Sequence, residues 1–129
     1  MSLRSSVHII AFSLAVGMTC GCVGGRTLEK PAVPSTGGDA LLGSQIMVQE
    51  KCGSCHTIPG IRGANGVFGP PLTSFGRRSF IAGNFPNDPD DLVHWIMSPT
   101  SMKPKTAMPD LGLSEQQARD VGAYLYTLQ

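Results

Sequence analysis

The chain has 129 residues, the length of one small domain. Ten basic side chains against nine acidic ones give a formal net charge of +1, which excludes nucleic-acid binding driven by bulk charge, and 41% hydrophobic against 15% charged residues excludes a charged disordered tail. Sixteen glycines and ten prolines, about a fifth of the residues, predict few helices, long loops and a small core that needs support from elsewhere.

Residues 1–21 read as a secretory signal. Arg4 precedes an apolar run over Val7–Met18, and small residues follow. Without Thr19 to Cys22 the run falls short of the roughly 20 apolar residues that span a bilayer. Cys22, directly after Gly21, is better placed than Cys20 for acylation in a lipoprotein-type signal. Simple cleavage and an uncleaved anchor are the other possible fates. The expected location is therefore the periplasm or the outer face of the cytoplasmic membrane, with the N-terminus as tether. Residues 22–38 read as a flexible linker. The stretch RTLEKPAVPSTGG has two prolines, two final glycines and no apolar period. Such a leash from Cys22 to Gly38 would reach about 20–25 Å r.m.s..

Residues 39–129 form the folded part, and three helices can be read in it. The first runs from Asp39, an acceptable N-cap, to Glu50, with Leu42, Ile46 and Met47 or Val48 as an apolar stripe. The second starts at Asp88-Pro89-Asp90-Asp91, where a cap, a first-turn proline and acids that complement the helix dipole coincide. It ends near Ser98, before Pro99. The third opens on the capping box Ser114-Glu115-Gln116-Gln117 and carries Val121, Tyr124, Leu125 and Leu128 on one face. The stretches 57–87 and 99–113 read as long loops without strands. Loops of that length fit a compact domain if they wrap a large ligand that serves as core.

The chemistry lies at Cys52-Gly53-Ser54-Cys55-His56. C-x-x-C-H is the attachment sequence of c-type haem. Two thiols three residues apart can each form a thioether to a haem vinyl, and the adjacent His56 then lies under the iron as an axial ligand. A thioredoxin-like pair would sit after a strand, a structural zinc site would need a second ligand pair, and a structural disulfide would not need His56. For the opposite axial position, His94 lies in mid-helix, where a lone histidine is more often a packing or surface residue. Met97 and Met102 are possible. Met108, in the loop Lys103-Pro104-Lys105-Thr106-Ala107-Met108-Pro109, is the best candidate. A His/Met iron has a raised potential and both faces filled, which suits electron transfer rather than binding of O₂ or peroxide.

On these residues the chain resembles a class I cytochrome c. More narrowly, KCGSCHTIPG, FGPPLTSFGRR, DDLVHWIMSP, KPKTAMPDLGLS and VGAYLYTL resemble the haem domain fused to subunit II of some bacterial cytochrome c oxidases. The resemblance implies an all-α fold of three to five helices, with long loops wrapped around one covalently bound haem c, here as a free-standing domain. It implies thioethers at Cys52 and Cys55, His56 and Met108 as iron ligands, and a Pro70 carbonyl that accepts a hydrogen bond from the His56 ring. It implies that Arg77 lies near the haem propionates and that Trp95 lines the haem pocket. Gly43 and Tyr124 match the crossing of the first and last helices. Met47 stands where the family commonly has an aromatic residue, and the glycine-rich loop IRGANGVF at 61–68 is expected to be mobile.

The expected function is that of a one-electron carrier in a bacterial respiratory chain, not an enzyme, with a quinol-oxidising complex and a terminal oxidase as partners. It has no nucleic-acid partner and no small-molecule substrate. The alternative is a permanently bound haem c subunit of a larger membrane redox complex. Residues 22–129 carry nine basic and nine acidic side chains. Any steering therefore comes from a local patch, for which Arg62, Arg77, Arg78, Lys103 and Lys105 are the candidates.

Overall fold

A computed structural model describes residues 33–129. The signal expected over 1–21, Cys20, Cys22 and the linker up to residue 32 lie outside the described residues. Four helices form: α1 (Ala40–Gln49), α2 (Pro89–Met97), α3 (Pro99–Met102) and α4 (Glu115–Thr127). Between α1 and α2 lie two single 3-10 turns, Cys52–Ser54 and Phe75–Arg77. A two-stranded antiparallel ladder follows, β1 (Phe80–Ile81) with β2 (Phe85–Pro86), in which Phe80 faces Pro86 and Ile81 faces Phe85.

The three expected helices form where their caps place them. The Asp39 carboxylate accepts from the Leu41 and Leu42 amides at 2.7 and 3.1 Å. Asp88 accepts from the Asp91 amide at 2.9 Å, with Pro89 in the first turn. Ser114 and Gln117 form the reciprocal capping box. Each cap satisfies amides that have no partner within the helix. Pro99 ends α2 as expected, but it also opens α3, because its fixed φ suits the first position of a helix. The ladder was not expected. Two residues per strand are too few for alternation to show.

α1 crosses α4 at Gly43, where a Cβ would drive into the Asp120 carbonyl and the Val121 amide of α4. The close approach is thus backbone against backbone. Tyr124, expected at the same crossing, donates its hydroxyl to the Pro59 carbonyl at 2.6 Å. Asp120 is buried at this crossing, and its Oδ1 accepts from the Asp39 amide at 2.8 Å and from Gln116 Nε2 at 3.0 Å. The end of the expected linker belongs to the fold. Thr36 is buried, its hydroxyl donates to the Arg119 carbonyl at 2.6 Å, and Arg119 Nη1 donates back to the Thr36 carbonyl at 2.8 Å. A leash to this domain therefore ends at Ser35, not at Gly38. Among the described residues no helix is long and apolar enough to cross a membrane.

α1, α2 and α4 meet through Ile46, Met47, Leu92, Ile96, Val121 and Leu125, all buried. Gly43→Ala should force the α1–α4 crossing apart and cost about 2–3 kcal/mol, the upper part of the range for overpacking. Thermal unfolding of the haem-loaded protein should show a melting point about 10–20 °C lower; an unchanged melting point would place the crossing elsewhere.

Candidate functional site

The buried side chains do not fill the space between the helices and the two long loops. They bound a cavity of about 580 Å³ whose walls include Met47, Leu72, Phe75, Ile96 and Leu125. That volume falls within the roughly 300–1,000 Å³ of ligand and cofactor sites.

The Cys52–Ser54 turn follows α1 directly. The chain leaves α1 through Lys51 in the left-handed region (φ 55°), and the Cys55 and His56 amides bond back to the Cys52 carbonyl at 3.2 and 3.0 Å. Cys52, Cys55 and His56 all line the cavity. The two cysteines are not joined in a disulfide. Burial, more than any charge, pushes the Cys52 thiol above its ordinary pKa. A helix, not a strand, precedes the motif. Among the described residues no three His, Cys, Asp or Glu side chains cluster as metal ligands. The geometry therefore gives no support to the thioredoxin-like and zinc readings.

His56 Nδ1 lies 2.7 Å from the Pro70 carbonyl. A carbonyl only accepts, so the proton is on Nδ1 and the Nε2 lone pair is left for a metal. Gly69 makes this possible: a Cβ there would lie 2.7 Å from Nδ1 and 2.9 Å from Nε2 of the same ring. The Gly69 amide is itself held by the Cys55 carbonyl at 2.8 Å.

The loop expected to be mobile, 61–68, is laid against the motif. The Gly66 amide bonds the Gly53 carbonyl at 3.0 Å, Thr57 Oγ1 donates to the Gly66 carbonyl at 3.0 Å, and the Ile58 amide bonds the Ala64 carbonyl at 3.0 Å. Both Gly53 and Gly66 face neighbours that leave no room for a Cβ.

Of the methionines considered, Met108 lines the cavity, whereas Met97 and Met102 do not. Met108 is half-buried, and its amide donates to Thr106 Oγ1 at 3.2 Å. His94 is exposed on α2, near Ser101 Oγ at 3.4 Å, and is outside the cavity. Trp95 lines the cavity and packs on Phe85 with ring centroids 6.1 Å apart. Met47, only 2% exposed, forms core and cavity wall at once.

Arg77, expected near the propionates of a haem, and its neighbour Arg78 stand differently to the cavity. Arg77 is exposed and does not line the cavity; Arg78 does. Arg78 Nη2 donates to the Pro71 carbonyl and, at 3.1 Å, to the Thr73 carbonyl, and its guanidinium lies 5.5 Å from the centroid of the Phe75 ring. Lys103 also lines the cavity, and its Nζ donates to the Ala82 carbonyl at 3.0 Å, clasping the segment after α3 to the ladder. Neither role was legible. Two adjacent arginines in a loop carry no periodic signal, and a lysine clasp depends on which segments the fold brings together.

The sequence pattern of the cytochrome c family matches residues 40–129. The chain belongs to the cytochrome c family. It is also 35% identical over 88 residues to cytochrome c oxidase subunit 2 of Alkalihalophilus pseudofirmus, a match that covers 67% of this chain and 25% of that protein. The chain thus spans about a quarter of that relative's length. Its four helices and small ladder are the class I cytochrome c fold. The family implies haem-based electron transfer through covalently attached haem c.

The residues present fit that group. The cavity offers two thiols for thioethers, one imidazole with its proton held on the far nitrogen, the thioether sulfur of Met108, and an apolar wall that includes Met47. Arg78→Gln should loosen the 71–73 segment and lower stability by about 1–2 kcal/mol, the worth of its charge-assisted bonds at a half-exposed site. Arg77→Gln should stay within about 0.5 kcal/mol. Denaturant melts of the two haem-loaded variants decide it; equal effects would return the role to both arginines.

Proposed function

We propose that this cytochrome c is an exported one-electron carrier with a single His56/Met108-ligated haem c, tethered by its N-terminus to the outer face of a bacterial cytoplasmic membrane and delivering electrons to a terminal oxidase. The observation that carries the reading is the presence of His56, with its Nδ1 proton engaged, and Met108 on the walls of one apolar cavity next to Cys52 and Cys55. Bound there, the haem supplies one reversible electron at its iron.

The protein's own residues supply the rest. Cys52 and Cys55 would hold the group covalently. Pro70 would fix the His56 ring and raise its basicity as a ligand. Met108, braced by Thr106, would fill the remaining axial position and keep small ligands out. Trp95, Leu72 and Phe75 exclude water, which keeps the surroundings of the iron alike in both oxidation states. Four charged side chains other than His56 line the cavity: Lys51, Arg78 and Lys103 are basic, and Glu50 is acidic. That positive excess suits the haem propionates and an acidic partner surface. Of the wider patch expected from the sequence, Arg78 and Lys103 line the cavity, and Arg62, Arg77 and Lys105 lie outside the lining. The terminal-oxidase acceptor belongs to this reading through the relative's name, cytochrome c oxidase subunit 2; a quinol-oxidising complex as donor is part of the proposal alone. Chemistry on a small-molecule substrate and nucleic-acid binding have no part in it.

One observation favours the second reading, a permanently bound subunit of a larger redox complex. Phe68 and Phe80 line the cavity and are yet 77% and 59% exposed, with Val67 at 91% beside them. Exposed apolar groups around one opening suit a lasting protein contact.

Two measurements test the proposal. Met108→Ala in the haem-loaded protein should lower the reduction potential and let the reduced form bind CO under native conditions; wild-type behaviour in both would remove Met108 as ligand. The reduced protein, mixed with membranes of its own organism, should show fast, saturable, cyanide-sensitive oxidation. No oxidation of a fully haem-loaded protein would favour the bound-subunit reading.

A further inference from the structure

Asn87, the residue before the α2 cap, belongs to none of the motifs considered above, yet it is bonded to the backbone of two residues of the cavity wall, Phe75 and Arg78. Its Nδ2 donates to the Phe75 carbonyl at 3.1 Å and to the Arg78 carbonyl at 3.0 Å. Its amide donates to the Ser79 carbonyl at 3.0 Å, and its own carbonyl lies 3.4 Å from the Tyr126 hydroxyl on α4. Its Oδ1 is buried without a hydrogen-bond partner among the described residues. The orientation of the amide is not ambiguous, because a flip would set Oδ1 against two carbonyl oxygens. A buried amide that leaves its oxygen unpaired is held there by its two N–H donors.

Those donors close a turn that matters for His56. Asn87 holds the Arg78 carbonyl; the Arg78 guanidinium holds the Pro71 and Thr73 carbonyls; these directly follow Pro70, whose carbonyl takes the Nδ1 proton of His56. The chain of contacts runs from the start of α2 to the axial imidazole through one cationic side chain and one short loop.

We infer that Asn87 is a positioning residue for the proximal histidine: it clamps the 75–78 turn so that Arg78 holds the Pro70 carbonyl on His56 Nδ1, and thereby sets the reduction potential. The inference rests on His56 being the iron ligand. A firm Nδ1–H···O bond makes the imidazole a stronger donor to the metal, which favours the oxidised state. Loosening the clamp weakens that bond and favours the reduced state. Asn87 itself carries no charge, so its loss acts through position rather than through a changed field.

The test uses haem-loaded Asn87→Ala and Asn87→Leu. Both remove the donors; the second keeps apolar volume and guards against simple collapse. In both, the reduction equilibrium should shift three- to tenfold towards the reduced form, about 28–59 mV upward at about 59 mV per decade for one electron. Proton exchange at His56 Nδ1, followed by NMR, should accelerate at least tenfold. Gly43→Ala, which strains the fold at the other helix crossing, should lower the melting point and move neither readout. Variants of Asn87 that melt lower but keep the wild-type potential and exchange rate would overturn the inference and leave Asn87 a structural residue. A wild-type protein whose His56 ring shows no iron-bound signature would overturn the axial assignment itself, and the inference with it.

Discussion

The hydrogen bond from His56 Nδ1 to the Pro70 carbonyl joins the cysteine–histidine motif to the first long loop, and the local structure around it holds those two atoms 2.7 Å apart. The ring sits at the end of a turn that starts where α1 stops. The carbonyl sits in a loop whose amide at Gly69 returns to Cys55. Glycine at 69 is required because the imidazole occupies the space a side chain would take. Proline at 70 has no N–H to satisfy, so its carbonyl can face the cavity while its nitrogen needs no partner. Once the ring is fixed with its proton on Nδ1, Nε2 is a ligand in wait, and the cavity on that side acquires a direction.

That cavity explains why a chain so rich in glycine and proline folds at all. α1, α2 and α4 bury a modest set of aliphatic side chains, and several of these, Met47, Leu92, Ile96, Val121 and Leu125, also line the cavity. The core and the binding site are one surface. A covalently held apolar group would be packed by the same residues that pack the helices, and its attachment would contribute to stability as any ligand of the native state does. The backbone crossing at Gly43, with the buried Asp120 carboxylate tying the start of α1 to α4, holds the first and last helices together.

The electrostatics are local for the same reason. Residues 22–129 have no net charge to steer with, and two basic groups at the cavity are also tied into structure: Arg78 braces the 71–73 segment, and Lys103 clasps the ladder. Charges that hold a loop in place keep their position, so the field they present to the cavity is fixed by the fold rather than by flexible side chains. The exposed Phe68 and Phe80 complete a rim that is apolar and cationic at once.

The local grammar of the chain was legible without a structure. Asp39, Asp88-Pro89 and the Ser114–Gln117 box mark helix starts because unpaired amides need acceptors whatever the fold, and Cys52, Cys55, His56, Pro70, Trp95 and Met108 could be singled out because their spacing or their resemblance to a family carries the chemistry. Tertiary structure alone decided the rest. It put Arg78, and not Arg77, on the cavity wall, since a 3-10 turn in a loop has no readable period. It made α3 out of what read as loop, docked Thr36 on α4, and showed the 61–68 loop to be bonded to the motif. It also made Asn87 the hub of a clamp. Each of these depends on groups far apart in the chain meeting at hydrogen-bond distance, and such meetings are set by how helices cross, not by which residues are neighbours in sequence.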